Sequence, residues 1–201
     1  KILVMKYKIA LNGFGRIGRL TLRSLLERNN EKIEISAVND LGSIETNLHL
    51  LKFDSVHGTL REDINLTNKK LSLKNYEIEF FKESDPTKLK WGDLGIDLVI
   101  ECTGIFTKRE DAKKHIQAGA KRVLISAPAT DPDITVVYGI NHNDINDNHK
   151  IISNGSCTTN CLAPLAYLIE KEIGIESGYM TTVHSVTGDQ NTIDTIHKDL
   201  R

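Results

Sequence analysis

Apolar positions along the first 150 residues switch back and forth between two periods. Lys6 to Leu11 alternates polar and apolar, the period of a strand. Arg16 to Glu27 instead carries Ile17, Leu20, Leu22, Leu25 and Leu26 at helical spacing. Ile33 to Val38 reads as a second strand ending at Asn39-Asp40, and Ile44 to Phe53 as a helix. Leu71 to Phe81 alternates in two short runs, which predicts a hairpin. Asp97 to Glu101 predicts a short buried strand, Lys108 to Gln117 a helix, and Arg122 to Ser126, Thr135 to Gly139 and Lys150 to Ser153 three further strands. Strand and helix alternating in this way predict a parallel sheet with helices on both faces, the Rossmann-type doubly wound α/β class.

The character changes near Ser153. A long helical pattern runs from Cys157 to Ile173, with Pro164 inside it and a local kink expected there. Gly178 to Ser185 is rich in β-formers and predicts a strand. After Gly188 the chain is polar, which predicts a surface loop. The expected division is a nucleotide-binding domain over 1–155 and the start of an α+β catalytic domain over 156–201. One helix and one strand cannot bury a sheet face alone, so that second unit is expected to be incomplete or completed by a partner.

Composition narrows the class. The chain has 201 residues, 39% hydrophobic and 26% charged, with a formal net charge of -1. This suits a soluble globular protein and gives no electrostatic reason to expect a nucleic-acid partner. No apolar run has the length of a membrane span, and Lys1-Ile2-Leu3-Val4 is too short for a signal peptide's apolar segment. The cysteines are Cys102, Cys157 and Cys161. An odd count without a secretory signal points to free thiols in a reducing compartment, the cytoplasm. No second Cys/His pair has zinc-ligand spacing, so no metal is expected.

Gly13-Phe14-Gly15-Arg16-Ile17-Gly18 follows a predicted strand and opens a predicted helix. Asp40 ends the next strand, about 20 residues after the last glycine. In such a loop Gly13 permits the tight turn, Gly15 lets backbone approach a pyrophosphate, and Gly18 allows close helix–strand packing. The N–H groups of Arg16 and Ile17 can face the phosphates. The Asp40 carboxylate can accept from both ribose hydroxyls and would repel a 2′-phosphate, which favours NAD over NADP. The alternative is a glycine turn that binds nothing.

Ser153-Asn154-Gly155-Ser156-Cys157-Thr158-Thr159-Asn160-Cys161 puts a thiol at the start of the long helix. Unpaired N–H groups and the positive end of the dipole favour a thiolate there. Ser156, Thr158 and Thr159 offer donors to an oxyanion or phosphate. His184, on the later predicted strand, can serve as base. Bland alternatives stand beside these: Cys157 as a buried structural thiol, Cys161 as a packed thiol, and His184 as a satisfied strand residue.

Asn12 to Arg19, Ser153 to Cys161 and Thr181-Thr182-Val183-His184 together resemble phosphorylating glyceraldehyde-3-phosphate dehydrogenases. So do Lys52-Phe53-Asp54-Ser55-Val56-His57-Gly58, Ala118-Gly119-Ala120-Lys121 and His197-Lys198-Asp199-Leu200-Arg201. The resemblance implies a Cys157 nucleophile that forms a thiohemiacetal and then a thioester, cleaved by inorganic phosphate, with His184 as base and NAD as cofactor. It implies Thr103, Gly104 and Ser126 lining the cofactor pocket beside Gly13, Gly15, Arg16, Ile17, Gly18 and Asp40. Ser156 and Thr158 are implied at the phosphate, Thr187 at the substrate phosphate, glyceraldehyde 3-phosphate as substrate, and a homotetramer as the family's assembly.

The sequence differs from the family's usual pattern at Gly155, commonly alanine, at Ser84, where a basic residue often stands, and at Thr195-Ile196, where many NAD-specific members have Leu-Pro. Family chains also continue beyond the position of Arg201. The remainder carries most of the substrate domain's sheet, an arginine for the substrate phosphate and an asparagine for the nicotinamide amide. Two alternatives follow: a shortened chain that binds NAD without turnover, and the related erythrose-4-phosphate dehydrogenase. Asp40 and the Ser185 to Gly188 stretch favour glyceraldehyde 3-phosphate over the latter.

Overall fold

A computed structural model describes residues 6–185, apart from 29, 69 and 75. Strand β1 (Tyr7–Asn12) leads through a glycine turn into helix α1 (Arg16–Arg28), and β2 (Ile33–Asn39) into α2 (Ile44–Lys52). The Ser43 side chain caps α2, accepting from Thr46 N at 3.1 Å. A two-stranded ribbon, β3 (Phe53–Asp54) and β4 (Gly58–Thr59), precedes an antiparallel meander of β5 (Ile64–Thr67), β6 (Lys70–Leu73) and β7 (Tyr76–Phe81). The short α3 (Trp91–Leu94) leads to β8 (Leu98–Glu101), α4 (Arg109–Gln117), β9 (Arg122–Ile125), β10 (Ile134–Thr135), β11 (Ile151–Ser153) and α5 (Cys157–Glu172).

The main sheet is nine-stranded, in the order β10-β11-β9-β8-β1-β2-β7-β6-β5. From β10 to β7 every neighbouring pair is parallel. The chain leaves β1 for β2 on one side and later returns to place β8 on the other. The carboxyl ends of β1, β2 and β8 therefore flank the crevice where doubly wound sheets bind ligands.

Alternation along β1 feeds two cores. Ile9 and Leu11 pack with Leu22 and Leu26 of α1 on one face, while Ala10 packs with Trp91, Ile96 and Val99 on the other. Leu22 and Leu26 are fully buried, each contributing about 2 kcal/mol relative to exposure. This two-sided burial fits the parallel-sheet reading.

Several expectations need correction. The hairpin over 71–81 is one half of a larger meander, because β5 adds a third strand. The strand expected over Thr135 to Gly139 stops at Thr135. There Asn141 turns the chain back, donating through Nδ2 to Thr135 O at 2.9 Å and accepting from Val137 N at 2.8 Å. Gly178 to Ser185 forms no strand in the described residues: it has no ladder partner, and Tyr179 and Val183 are 97% and 96% exposed. Helix α5 runs unbroken past Pro164 and buries none of its residues. Among the described residues, no helix is long and apolar enough to cross a membrane.

Candidate active site

The glycine turn after β1 is shaped by two close approaches. Gly13 has φ +90°, and a side chain there would strike Thr103 N and Cys102 C at 2.8 and 2.9 Å. A Cβ on Gly18 would lie 2.3 Å from Gly13 O. Gly15 faces open space instead. The turn is thus clamped against the end of β8 and the start of α1, with its middle left open to a ligand.

That open side belongs to a cleft of about 640 Å³ walled by Gly13, Gly15, Asp40 and Thr103, with Asn12, Asn39, Ser84 and Phe106. Asp40 Oδ2 accepts from Phe14 N at 2.7 Å, and Oδ1 from Gly42 N at 2.8 Å and Asn47 Nδ2 at 3.0 Å. Three donors occupy a carboxylate that accepts about four. Room remains for about one ribose hydroxyl, where the sequence suggested two. Asp40 therefore holds the turn as well as lining the cleft.

Other expected cofactor residues sit around the cleft and not on its wall. Gly18 packs beneath the turn. The Arg16 guanidinium reaches Asp54 at 3.1 Å, and Ile17 lines a separate apolar groove with Ile9, Leu25 and Ile100. Gly104 turns the loop after Thr103 at φ +73°. Ser126 bonds the Cys102 thiol, which burial pushes up to about 12 despite that hydrogen bond, with Glu101 adding to the rise.

The nucleophile segment starts at the same edge of the sheet. β11 ends at Ser153, two positions from β8 in the strand order. Ser153 Oγ donates to Ala127 O at 2.9 Å and accepts from Gly155 N at 3.1 Å. Asn154 N donates to Ile125 O at 2.9 Å, and the Asn160 side chain donates back to Asn154 O and Ser156 O at 2.7 and 2.9 Å. This knot fixes where α5 begins. Ser156 is its N-cap: Oγ accepts from Thr159 N at 2.9 Å and pairs with Thr159 Oγ1 at 2.8 Å. Its hydroxyl bonds within the cap, while Thr158 lines the adjoining cavity together with Thr181, Thr182 and Ser185.

Cys157 takes the first position of α5 and is exposed. Its Sγ lies 4.0 Å from His184 Nδ1. Both line a cavity of about 470 Å³ with Thr158, Cys161 and Met180. Sequence reasoning paired these two residues, and the structure brings them together without the expected strand. Thr187 and Thr195-Ile196 lie outside the described residues. Asn12, Asn39 and Phe106 were missed as cleft residues; the asparagines' positions at the ends of β1 and β2, beside the glycine turn, were the available signal.

Comparison with known proteins decides the family. Residues 7–109 match the family model described as glyceraldehyde 3-phosphate dehydrogenase, NAD binding domain, and residues 156–201 match the C-terminal domain of the same family. The chain belongs to the glyceraldehyde-3-phosphate dehydrogenase family. It is 50% identical over 196 residues to the glyceraldehyde-3-phosphate dehydrogenase of Xanthobacter flavus, covering 98% of this chain and 58% of that protein. It is 52% identical to the enzyme so named from Geobacillus stearothermophilus, with coverage of 98% and 58%. The Thermotoga maritima protein is likewise 52% identical, with 96% and 58% covered. The chain thus spans somewhat more than half the length of these relatives. Its cofactor is NAD, and the open Gly15 backbone and the remaining acceptor capacity of Asp40 fit a dinucleotide in the cleft.

Proposed function

We propose that the protein oxidises glyceraldehyde 3-phosphate with NAD and inorganic phosphate to 1,3-bisphosphoglycerate, in glycolysis in the cytoplasm. In this reading residues 1–155 hold the cofactor and 156–201 open the catalytic domain. The observation that carries it is the Cys157–His184 pair at the head of α5, on the sheet edge that also forms the NAD cleft.

The Cys157 thiolate adds to the aldehyde carbon, and the resulting alkoxide takes a proton to give a thiohemiacetal. His184 then accepts the hydroxyl proton as the carbonyl re-forms and the C–H bond breaks. Bound NAD supplies the hydride acceptor. Phosphate oxygen attacks the thioester carbon, the C–S bond breaks, and the Cys157 thiolate is restored. Thr158 and the N-terminus of α5 stabilise the oxyanion and the attacking phosphate. Asp40 selects NAD over NADP by repelling a 2′-phosphate.

The test is NADH formation that requires both glyceraldehyde 3-phosphate and phosphate and is abolished in Cys157→Ser. Turnover without phosphate, or a preference for erythrose 4-phosphate, would redirect the assignment. A second reading is favoured by α5, which buries none of its residues: these 201 residues bind NAD without turning over. NAD binding with no NADH formed is its signature.

A further inference from the structure

Beneath the NAD cleft runs a chain of buried polar groups that neither the nucleophile nor the glycine turn accounts for. Its centre is Glu101, at the end of β8 and 1% exposed. Oε2 accepts from Asn12 Nδ2 at 2.6 Å and meets His115 Nε2 at 3.0 Å. Oε1 accepts from Thr103 N at 2.7 Å and from the Thr103 hydroxyl. Behind it, Trp91 Nε1 donates to His115 Nδ1 at 3.0 Å. Indole N–H can only donate, so Nδ1 is the acceptor and the ring proton sits on Nε2, facing Glu101. In front, Asn12 Oδ1 accepts from Asn39 Nδ2 at 2.7 Å, and Asn39 closes on the Glu83 backbone at both ends, at 2.9 Å each.

Four donors meet Glu101, which matches the acceptor capacity of a carboxylate. Two of the residues so held, Asn12 and Thr103, are walls of the cleft. Thr103 Oγ1 also accepts from Ile105 N at 3.0 Å, so the same carboxylate sets the loop that carries Ile105 and Phe106. Thr103 N is moreover one of the atoms against which Gly13 is clamped.

We infer that Glu101 is a positioning residue for the cofactor: from below the cleft it fixes Asn12, the Gly13 turn and the 103–106 loop in the geometry that receives NAD, with His115 and Trp91 holding it from behind. The inference rests on the NAD reading of that cleft. Glutamine at 101 would turn an amide NH2 toward one of its donor pairs and set donor against donor. Because Trp91 is the single tryptophan of the chain, its near-ultraviolet circular dichroism reports the far end of the network directly.

The experiment measures NAD affinity by calorimetry and the Trp91 signal without NAD in the whole chain. Glu101→Gln is expected to bind NAD about tenfold more weakly and to change the Trp91 band. Val123→Ala, a core change outside the network, is expected to lower the melting temperature and leave NAD affinity unchanged. Should Glu101→Gln fail to fold, Thr103→Val decides, since it removes only the hydroxyl and is expected to weaken NAD binding as well. Folded Glu101→Gln or Thr103→Val with wild-type NAD affinity would overturn the inference. So would Val123→Ala weakening NAD as much as Glu101→Gln. A wild-type chain that binds no NAD would instead overturn the cofactor reading beneath it.

Discussion

Cys157 Sγ and His184 Nδ1 stand 4.0 Å apart, although 27 positions separate them in the chain. That distance is long for a hydrogen bond to sulfur, and catalytic contacts of this kind commonly tighten once substrate is present. The pair draws on two separate supports: the capped N-terminus of α5 fixes the thiol, and the segment after Gly178 brings the imidazole to it.

The three thiols should consequently differ in reactivity. Iodoacetamide at about pH 7 should label Cys157 first, then Cys161, and Cys102 last, because that thiol is half-buried at the cleft and burial pushes it up to about 12. His184→Asn should slow labelling of Cys157 by about tenfold and leave Cys161 unaffected. Peptide mapping by mass spectrometry reads all three rates. Equal rates at Cys157 in the two proteins would detach His184 from the thiol.

Asp40→Ala should have two effects, since its carboxylate both accepts from Phe14 N, Gly42 N and Asn47 Nδ2 and faces the cleft. Loss of those acceptors should cost about 2 kcal/mol of stability. NAD affinity should fall about tenfold and discrimination against NADP should narrow. Titration with both cofactors beside a thermal melt separates the two. Lower stability with unchanged NAD affinity would confine Asp40 to holding the turn.

Much of this architecture was legible in the residues. The helical spacing of α1 comes from burial of one face, which a sequence pattern records directly, and the apolar run Ile9-Ala10-Leu11 in β1 comes from burial of both faces. β5 was missed although Ile64-Asn65-Leu66-Thr67 alternates, because the run is only four residues long and lies mostly exposed at the sheet edge. The strand expected over Gly178 to Ser185 shows the opposite failure. Its β-formers are present, yet a strand needs a ladder partner, and none is found among the described residues. Glu101 and His115 escaped for a third reason: the predicted strand over Asp97 to Glu101 and helix over Lys108 to Gln117 do not say which polar side chains meet across them, and these two are buried and bonded to each other. Ser156, expected at a phosphate, also caps α5, a role its position before the helix allows.

Acid should weaken the fold in part through Asp54. Burial alone would raise its carboxyl. The N–H groups of His57 and Val56, the His57 ring and the Arg16 guanidinium outweigh that and hold it well below the usual carboxylate range. A depressed folded value means that the unfolded chain takes up the proton more readily. The stabilisation is therefore complete above the unfolded value of about 3.9 and is lost as pH falls below it. Melting temperatures between about pH 5 and pH 2 should drop more steeply for the native chain than for Asp54→Asn. Parallel curves would show that Asp54 is not linked to acid stability. Near neutral pH the variant should be less stable by about 1–2 kcal/mol.

In the proposed reaction Cys157 carries the acyl group between oxidation and phosphorolysis. The most direct measurement is to mix protein, NAD and glyceraldehyde 3-phosphate without phosphate, quench in acid, and map adducts by mass spectrometry. The expected product is a 3-phosphoglyceroyl thioester on Cys157 that requires NAD, disappears when phosphate is added, and is sharply reduced in His184→Asn. An acyl adduct on Cys161 in place of Cys157, or NADH formation that survives Cys157→Ser, would contradict it.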